Sequence, residues 1–514
     1  MTRIKLLAKG CSSFVTRSGC AAWVLFVALM VLGGGLRLLD LTDPPLDFHP
    51  TRQLRAAMIA RGMYYQMSPS ADAGVRQKAI ALWKFQELYE PQIFERVVAL
   101  TYLALGGERL WVARLYAVLF WLGGGAALYA LARRISDPWG ALAALAYYLF
   151  VPYGVSASRS FQPDPFMVMW LMLAAYALYR WGETLSWKWG LLAGVFGGLA
   201  ILVKVVAAFP LAGALLAVRS NAAGLRKLWR DGQFWAITAS WFIIPAVYYL
   251  GLSGERSEGL ASGTLALSLQ LLRNPKFYTA WLKLLDVNFS LPLISLGLMA
   301  TLLLPAKGRA LLSGLWAGFG VYGLVFAYRV STHDYYNLAI IPITALSLAV
   351  IGAWLVERMA VQPLFWRLSF AGLTLFAMAY PAWLARSALL GVDYRGEPAG
   401  WRKLGESLPT DGDIIALTHD YGARLQYYGW TLAAYWPTQA DLNLQSLQGS
   451  APSQDFERHF EQMTAGKRYF LVTLLGELEA QPQLKSLLYD HYPLVLDKGS
   501  YVLFDLSRPL VPEP

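Results

Sequence analysis

The chain has 514 residues, of which 56% are hydrophobic and only 15% are charged, and its formal net charge is +11. So apolar a composition excludes an ordinary soluble enzyme. Only two cysteines are present, Cys11 and Cys20, and both lie close to the amino terminus. Their position predicts no disulfide framework, no metal–thiolate site and no catalytic thiol.

Apolar runs long enough to cross a membrane recur through the first three quarters of the chain. A helix needs roughly 20 apolar residues to cross about 30 Å of hydrocarbon, and such runs extend from Ala21 to about Leu384. The first run follows a basic flank but lacks a small-residue cleavage site, which favours a retained anchor over a signal peptide. We predict a polytopic α-helical membrane protein with about eleven transmembrane helices. The predicted spans are residues 21–40, 110–131, 138–156, 165–181, 189–203, 205–218, 233–252, 288–305, 310–328, 338–356 and 366–385.

Clusters of lysine and arginine alternate with these spans and predict their orientation, because positively charged loops stay in the cytoplasm. Two basic loops flank residues 189–218, which requires two short crossings there and places Lys204 at the outer break between them. A single tilted helix is the alternative, but it would put the basic loops at 219–230 and 307–309 outside. We therefore expect a bacterial-type inner or plasma membrane protein with a cytoplasmic amino terminus and an extracytoplasmic, periplasmic tail.

The tail, residues 392–514, differs from the transmembrane part, residues 1–391, in its periodic charge and turn signals. It carries 16 acidic and 10 basic residues, which leaves 17 acidic and 34 basic residues in the transmembrane part. The net positive charge therefore reflects membrane topology and does not indicate nucleic-acid binding. Alternating strand and helix patterns predict a separate soluble α/β domain. The predicted strands lie in 412–418, 468–474 and 501–504, and the predicted helices in 400–408 and 483–488.

The loop after the first span, residues 41–109, is the first candidate active site. It is predicted to be extracytoplasmic, and it begins with a stretch rich in acid, proline, histidine and arginine before an amphipathic part. Charged groups at the edge of a bilayer usually meet a polar or charged ligand. Asp47 is the leading candidate, because Pro44, Pro45 and Pro50 stiffen the backbone around it.

Further polar residues are predicted to reach the same membrane face. Arg52 and Arg55 are three residues apart, and on one helical face they would grip a phosphate or neutralise anionic lipid headgroups. Asp164 lies between two prolines, where starting a helix is the simpler explanation, and His333 has the simpler explanation of a loop residue. The other candidates on this face are Glu90, Arg159, Lys204, Tyr335 and Tyr336.

The order of these features resembles the GT-C membrane glycosyltransferases, specifically the protein O-mannosyltransferase and lipid A aminoarabinose transferase-like superfamily, which is glycosyltransferase family 39-like. The resemblance covers the whole chain, with many spans before a soluble tail. The matching segments are LDFHPTRQLRAAMIAR (46–61), YEPQIFER (89–96), GGERLWVARLYAVLF (106–120), SRSFQPDPF (158–166), LAILVK (199–204) and HDYYNLAIIP (333–342).

The resemblance implies transfer of a sugar from a polyprenyl-phosphate donor to an acceptor outside the cytoplasm: a protein hydroxyl, a glycolipid or a polysaccharide of the cell envelope. In an inverting displacement, a carboxylate takes the acceptor proton while positioned cations stabilise the leaving phosphate. We expect Asp47 to be the base, with Asp164 and Glu90 as secondary acids, and a divalent ion held by Asp47 and Asp164 is optional. The expected phosphate ligands are Arg52, Arg55, Arg159, Lys204 and His333, and the expected sugar or acceptor contacts are His49, Tyr335 and Tyr336.

Two other functions remain open at this point. A transporter or flippase for a lipid-linked or anionic solute would place ionisable residues deep within the spans, whereas the charges here gather at one face. A noncatalytic scaffold would tolerate the loss of Asp47. For Tyr335 and Tyr336, anchoring at the membrane interface is an alternative to contact with a sugar. Membrane lipids are expected partners in each case.

Overall fold

A computed structural model of the protein describes residues 2–69, 71–87, 90–224, 230–252, 269–447 and 456–510. Most of the chain is helical, as the long apolar runs predict. In chain order the α-helices are α1 (Thr2–Arg37), α2 (Pro50–Met67), α3 (Ala73–Lys84), α4 (Ile93–Leu105), α5 (Leu110–Ile135), α6 (Pro138–Phe150), α7 (Pro152–Ala157), α8 (Asp164–Thr184), α9 (Trp187–Val203), α10 (Ala208–Ala223), α11 (Gly232–Val247), α12 (Pro275–Phe289), α13 (Leu291–Ala300), α14 (Ala306–Val325), α15 (Ala327–Thr332), α16 (Ile340–Ala360), α17 (Leu364–Leu389), α18 (Glu397–Ser407), α19 (Ala423–Tyr428), α20 (Gln439–Leu447), α21 (Phe456–Thr464), α22 (Leu475–Glu479) and α23 (Pro482–His491). The strands are β1 (Ile414–Leu417), β2 (Ala433–Tyr435), β3 (Tyr469–Val472), β4 (Leu494–Asp497) and β5 (Val502–Asp505).

The chain divides into two compact units. Unit 1 comprises Met1–Leu41, Leu88–Phe94 and Trp111–Val392, and unit 2 comprises Thr42–Glu87, Glu95–Leu110 and Asp393–Pro514. Most of the loop that the sequence analysis assigned to the transmembrane domain thus groups with the tail. The physical reason is that α2 packs against α19 of the tail. The division into a transmembrane and an extracytoplasmic domain stays a prediction.

All eleven predicted spans fall on helices, but the predicted number of crossings is not confirmed. Within the described residues, five helices are long and apolar enough to cross a membrane, or six if one bent helix pair forms a single span. Several predicted spans are divided into shorter helices, as where Pro152 separates α6 from α7, because a proline disfavours helix at the residue before it. The five helices are Cys20–Arg37, Leu110–Ile135, Val205–Ala222, Asp334–Ala360 and Leu364–Leu389, and the bent pair is Pro275–Phe289 with Leu291–Leu303.

The predicted break at Lys204 is confirmed. Helix α9 ends at Val203, and Lys204 has an extended backbone with φ −155° and ψ 114°. A short 3-10 turn, Val205–Ala207, then leads into α10. The structure therefore contains two helices where a single tilted helix was the alternative.

Glycines allow the helices of unit 1 to approach closely. Helices α10 and α14 meet where a Cβ on Gly213 would lie 2.1 Å from the carbonyl oxygen of Gly314. Small residues at such crossings are typical of membrane helix bundles, in which van der Waals packing drives association. A larger side chain at Gly213 would force α10 and α14 apart.

Unit 2 contains a five-stranded sheet with the order β2-β1-β3-β5-β4. Strand β1 pairs in parallel with β2 and β3, and β5 pairs antiparallel with β3 and β4. The three predicted strands coincide with β1, β3 and β5, and the two predicted helices with α18 and α23, so these predictions are confirmed. Each of these three strands is buried, whereas β4 is mostly exposed.

The core of this sheet is built from large apolar side chains on the strands and on the helices that cover them. Trp436, Phe470 and Phe504 are each 1% exposed or less. Leu484 and Leu488 of α23 pack against the same cluster with no exposed surface. Burial of side chains of this size contributes about 1.5–3 kcal/mol each.

A buried charged cluster, which we call the Arg61 cluster, fixes the end of α2 in unit 2. The Arg61 guanidinium donates to both carboxylate oxygens of Glu108, at 2.9 and 3.2 Å, and to the Tyr427 carbonyl oxygen at 2.6 Å. The Tyr427 hydroxyl donates to Glu108, and the guanidinium lies 3.7 Å from the ring centre of Tyr427 and 4.4 Å from that of Trp430. Burial alone would lower the pKa of Arg61, but the Glu108 carboxylate beside it raises that pKa above its ordinary value. The charged pair thus joins α2 to the tail.

We predict that the Glu108→Leu variant is strongly destabilised, because it leaves the Arg61 guanidinium buried without its carboxylate. Loss of one partner of a buried pair costs about 3–5 kcal/mol. Thermal unfolding of the purified protein in detergent measures the effect. The double variant Arg61→Met/Glu108→Leu is the control, and it should recover much of the loss since no charge stays buried. A single variant as stable as the wild type would show that the pair does not hold α2.

Candidate functional site

The centre of the candidate site in unit 1 is a buried ion pair between Asp164 and Lys204. The Lys204 ammonium donates to Asp164 Oδ1 at 2.6 Å, and the two side chains are 4% and 3% exposed. Two features stabilise the negative charge of the Asp164 carboxylate. Asp164 lies in the first turn of α8, where the helix dipole stabilises a negative charge, and the ammonium opposite compensates it. The helix break at Lys204 brings the cation to this position.

Two tyrosine rings complete the surroundings of the Lys204 ammonium. It lies 5.1 Å from the ring centre of Tyr335 and 4.5 Å from that of Tyr336, within the range of a cation–π contact. The His333 ring lies 5.5 Å from that of Tyr335, and His333 Nδ1 is 2.7 Å from Thr332 Oγ1. The structure therefore brings together Asp164, Lys204, His333, Tyr335 and Tyr336, five of the residues that the sequence analysis selected.

Hydrogen bonds fix the short 3-10 turn that carries the tyrosines, Asp334–Asn337. The Trp281 indole N–H donates to Asn337 Oδ1 at 2.9 Å, and the Asn337 amide donates to the Val330 carbonyl oxygen at 2.9 Å. The Tyr322 hydroxyl donates to the carbonyl oxygen of Tyr336 at 3.1 Å. Asn337 is fully buried. The rings that face Lys204 are thus held by the backbone behind them.

Arg159, a predicted phosphate ligand, lies in a second polar region of unit 1. Its guanidinium donates to the Asp40 carbonyl oxygen at 2.9 Å, and Arg114 donates to the same oxygen at 3.2 Å. Arg37 donates to Ser158 Oγ at 2.6 Å. All three arginines are nearly fully buried. This network fixes the chain where α1 ends. Arg37 and Arg114 lie within predicted spans, and no local pattern marks them as members of it.

Asp47 lies in unit 2, in a short segment that precedes α2. Residues 43–46 are buried, whereas Asp47 itself is exposed. His49 follows with a left-handed backbone of φ 45°, and α2 begins at Pro50. A proline at the first position suits a helix start because its missing N–H would have no partner there in any case. The structure thus presents the Asp47 carboxylate at the surface just before a helix.

The predicted arginines of this segment belong to unit 2, and Glu90 belongs to unit 1. Arg52 and Arg55 are half-buried on α2, and Arg55 donates to the Glu87 carbonyl oxygen. Glu90 is also half-buried. The roles of these residues stay predictions.

The optional divalent ion stays a prediction, and the described residues offer no ready set of ligands for it. No group of three or more His, Cys, Asp or Glu side chains that could hold a metal occurs in the described ranges. Asp164 Oδ1 also accepts the Lys204 ammonium, whose charge disfavours a cation at the same oxygen. We therefore assign no metal to Asp47 and Asp164 and derive no step from one.

The family model for dolichyl-phosphate-mannose-protein mannosyltransferase matches residues 96–250. None of the curated proteins matches the sequence. Solved structures of two kinds of glycosyltransferase match almost the whole chain. ArnT from Cupriavidus metallidurans bound to undecaprenyl phosphate is 18% identical, with a TM-score of 0.54 and coverage of 94% of this chain and 97% of that one.

The oligosaccharyltransferase of Archaeoglobus fulgidus, tethered to an acceptor peptide, is 12% identical with a TM-score of 0.53. The match covers 95% of this chain and 74% of the archaeal one. The chain has the GT-C glycosyltransferase fold. The resemblance predicted from the sequence is confirmed. Because the chain has this fold and contains long apolar helices, it is an integral membrane protein.

The same archaeal enzyme has also been crystallised with zinc and sulfate. That structure is 13% identical to this chain, with a TM-score of 0.51 and coverage of 95% of this chain and 74% of the archaeal one.

We predict that the ring of Tyr336, rather than its hydroxyl, stabilises the Lys204 ammonium. Tyr336→Leu should lower the stability by about 0.5–2 kcal/mol, since a cation–π contact at a desolvated site is worth that much. Tyr336→Phe retains the ring and should melt close to the wild type. Thermal unfolding in detergent compares the two variants, and equal melting temperatures for Leu and Phe would contradict the cation–π contact.

Proposed function

We propose that this protein is a membrane glycosyltransferase that moves a sugar from a polyprenyl-phosphate donor to an acceptor on the extracytoplasmic side. The observation that carries the proposal is the buried Lys204–Asp164 pair under two tyrosine rings, in a chain with the GT-C fold. The match to the mannosyltransferase family model over residues 96–250 supports the same reaction class.

The proposed reaction is a single displacement at the anomeric carbon. The acceptor oxygen attacks this carbon, the bond from the carbon to the donor phosphate oxygen breaks, and the configuration inverts. The acceptor proton passes to the Asp47 carboxylate, and the prenyl phosphate leaves with the electron pair of the broken bond. A carboxylate in this role contributes about 10²–10⁴-fold. Asp47 is exposed, as a base that must meet an acceptor from outside the protein is expected to be.

We propose that Lys204 holds an oxygen of the donor phosphate. An ammonium has three N–H donors, and one of them bonds to Asp164. A phosphate would accept from another while Asp164 keeps the lysine in place. Tyr335 and Tyr336 lie beside the same ammonium, where their rings would stack on the sugar attached to that phosphate. Arg52, Arg55, Arg159 and His333 remain proposed ligands of the phosphate, Asp164 and Glu90 proposed secondary acids, and His49 a proposed acceptor contact.

A transporter or flippase is the alternative function. It would place the charges on a path through the bilayer rather than around a reaction centre. Such a protein would move labelled lipid across vesicles without releasing sugar. The assay below separates these two functions.

We predict that Asp47→Asn lowers sugar transfer by about 10²–10⁴-fold, because asparagine cannot accept the acceptor proton. Purified protein in nanodiscs is given a panel of polyprenyl-phosphate sugars, and released prenyl phosphate is measured. Asp72→Asn is the matched control, because Asp72 caps α3 and asparagine caps a helix equally well. If the wild type releases nothing from any donor, moves labelled lipid across vesicles and behaves as Asp47→Asn does, the transferase proposal fails.

We also predict that Lys204→Gln/Asp164→Asn raises the KM for the donor by roughly 10- to 150-fold, because a hydrogen bond to a charged group is worth about 1.5–3 kcal/mol. Both charges are removed together so that no carboxylate is left unpaired in the interior. Lys188→Gln is the control, since Lys188 is exposed. An unchanged KM for the donor would show that Lys204 does not hold the phosphate.

A further inference from the structure

The segment that carries Asp47 is held by one buried side chain of α2. Gln53 is 1% exposed, although a glutamine at a helix surface is ordinarily in water. Its side-chain amide donates to the Phe48 carbonyl oxygen at 2.5 Å and reaches the Pro45 carbonyl oxygen at 3.5 Å. These two carbonyls lie on either side of Asp47. One amide thus bridges the backbone before and after the proposed base.

The start of the same segment is held by a buried carboxylate. Asp43 is 5% exposed, and its Oδ1 accepts the backbone N–H of Tyr394 at 3.0 Å. Arg395 lies 3.7 Å from the same oxygen. Tyr394 and Arg395 belong to the first residues of the tail in unit 2. The tail therefore fixes residue 43, and Gln53 fixes residues 45 and 48.

Packing and local turns leave little freedom between these two points. Leu46 is 4% exposed, and its N–H donates to the Pro44 carbonyl oxygen at 2.7 Å. The far end of α2 is held by the Arg61 cluster. The segment thus has a fixed backbone with one exposed carboxylate, and a base that must meet an acceptor proton gains from such fixation, because a misplacement of about 1 Å costs roughly 10²-fold in rate.

We propose that Gln53 is a positioning residue for Asp47, and that its amide fixes the direction of the carboxylate by holding the backbone on both sides of it. This inference rests on the proposed function of Asp47 as the base. Both of these hydrogen bonds go to the backbone that flanks Asp47, so Gln53 acts through Asp47. Its loss should therefore change kcat much more than KM.

The test compares Gln53→Met with Gln66→Met in the full-length protein. Methionine matches glutamine in length and has no N–H donor, and Gln66 lies exposed on the same helix. We expect Gln53→Met to lower kcat by about 10- to 100-fold with the KM of donor and acceptor within about threefold. Gln66→Met should match the wild type. Gln53→Asn, which keeps the amide on a shorter side chain, serves if the methionine variant does not fold.

Hydrogen–deuterium exchange gives a second readout that does not depend on activity. Gln53→Met should increase exchange in the peptide covering residues 43–49, while peptides covering the Arg61 cluster stay as in the wild type. If Asp47→Asn is inactive but Gln53→Met shows the exchange and the kcat of the wild type, the inference on Gln53 is overturned and the proposed base stands. Wild-type transfer by Asp47→Asn, or no transfer by the wild type, would overturn the proposed base and the inference together.

Discussion

The candidate site in unit 1 depends on a buried ion pair between the Lys204 ammonium and the Asp164 carboxylate. Lys204 and Asp164 are each about 95% buried or more, and an isolated charge in such surroundings would cost several kcal/mol. The pair is tolerated because the helix break gives Lys204 an extended backbone and because Asp164 starts a helix. Two tyrosines then cover the ammonium. A break between two apolar helices is thus a place where charge can be kept within a membrane protein.

In unit 2 the main constraint is the fixed backbone of residues 43–49, a short segment at the surface that carries Asp47. The sheet of this unit has a packed apolar core, and α19 of the same unit presents Tyr427 to Arg61. Helix α2 is held at its far end by that contact and at its start by Gln53. Asp47 is the exposed residue in a segment whose preceding neighbours are buried. The tail therefore contributes to the geometry of the proposed base even though it carries no catalytic residue in this account.

The sequence predicts the helical segments, the break at Lys204 and three of the five strands, because each depends on a local pattern of apolar residues. It also selects Lys204 and the four residues grouped with it, Asp164, His333, Tyr335 and Tyr336, because each lies at or next to the end of an apolar run. The partners of these residues follow from tertiary contacts that no local pattern encodes. Asp40 meets Arg114 and Arg159 from distant helices, and Arg61 meets Glu108 and Tyr427 in the same way. Gln53 gives no signal in the sequence, because a glutamine in the first turn of a helix is ordinarily exposed.

The grouping of the loop after the first span with the tail depends on tertiary contacts in the same way. Its charges and prolines indicate a surface segment, but the middle of α2 is buried on all sides, from Ala56 to Met63. Leu54, Ala57 and Met58 have no exposed surface. The apolar residues of α2 predict that this helix is packed against other elements. Only the tertiary structure shows that one of these elements is α19 of the tail.

The most direct test of the account is the stoichiometry and stereochemistry of the reaction in one experiment. Wild-type protein in nanodiscs is given a polyprenyl-phosphate sugar and an acceptor, and the product is analysed by nuclear magnetic resonance. The account predicts one free prenyl phosphate for each glycosylated acceptor, with the anomeric configuration of the donor inverted. Retention of the donor configuration would contradict a single displacement with Asp47 as the base. Movement of intact donor lipid without any glycosylated product would contradict the transferase function itself.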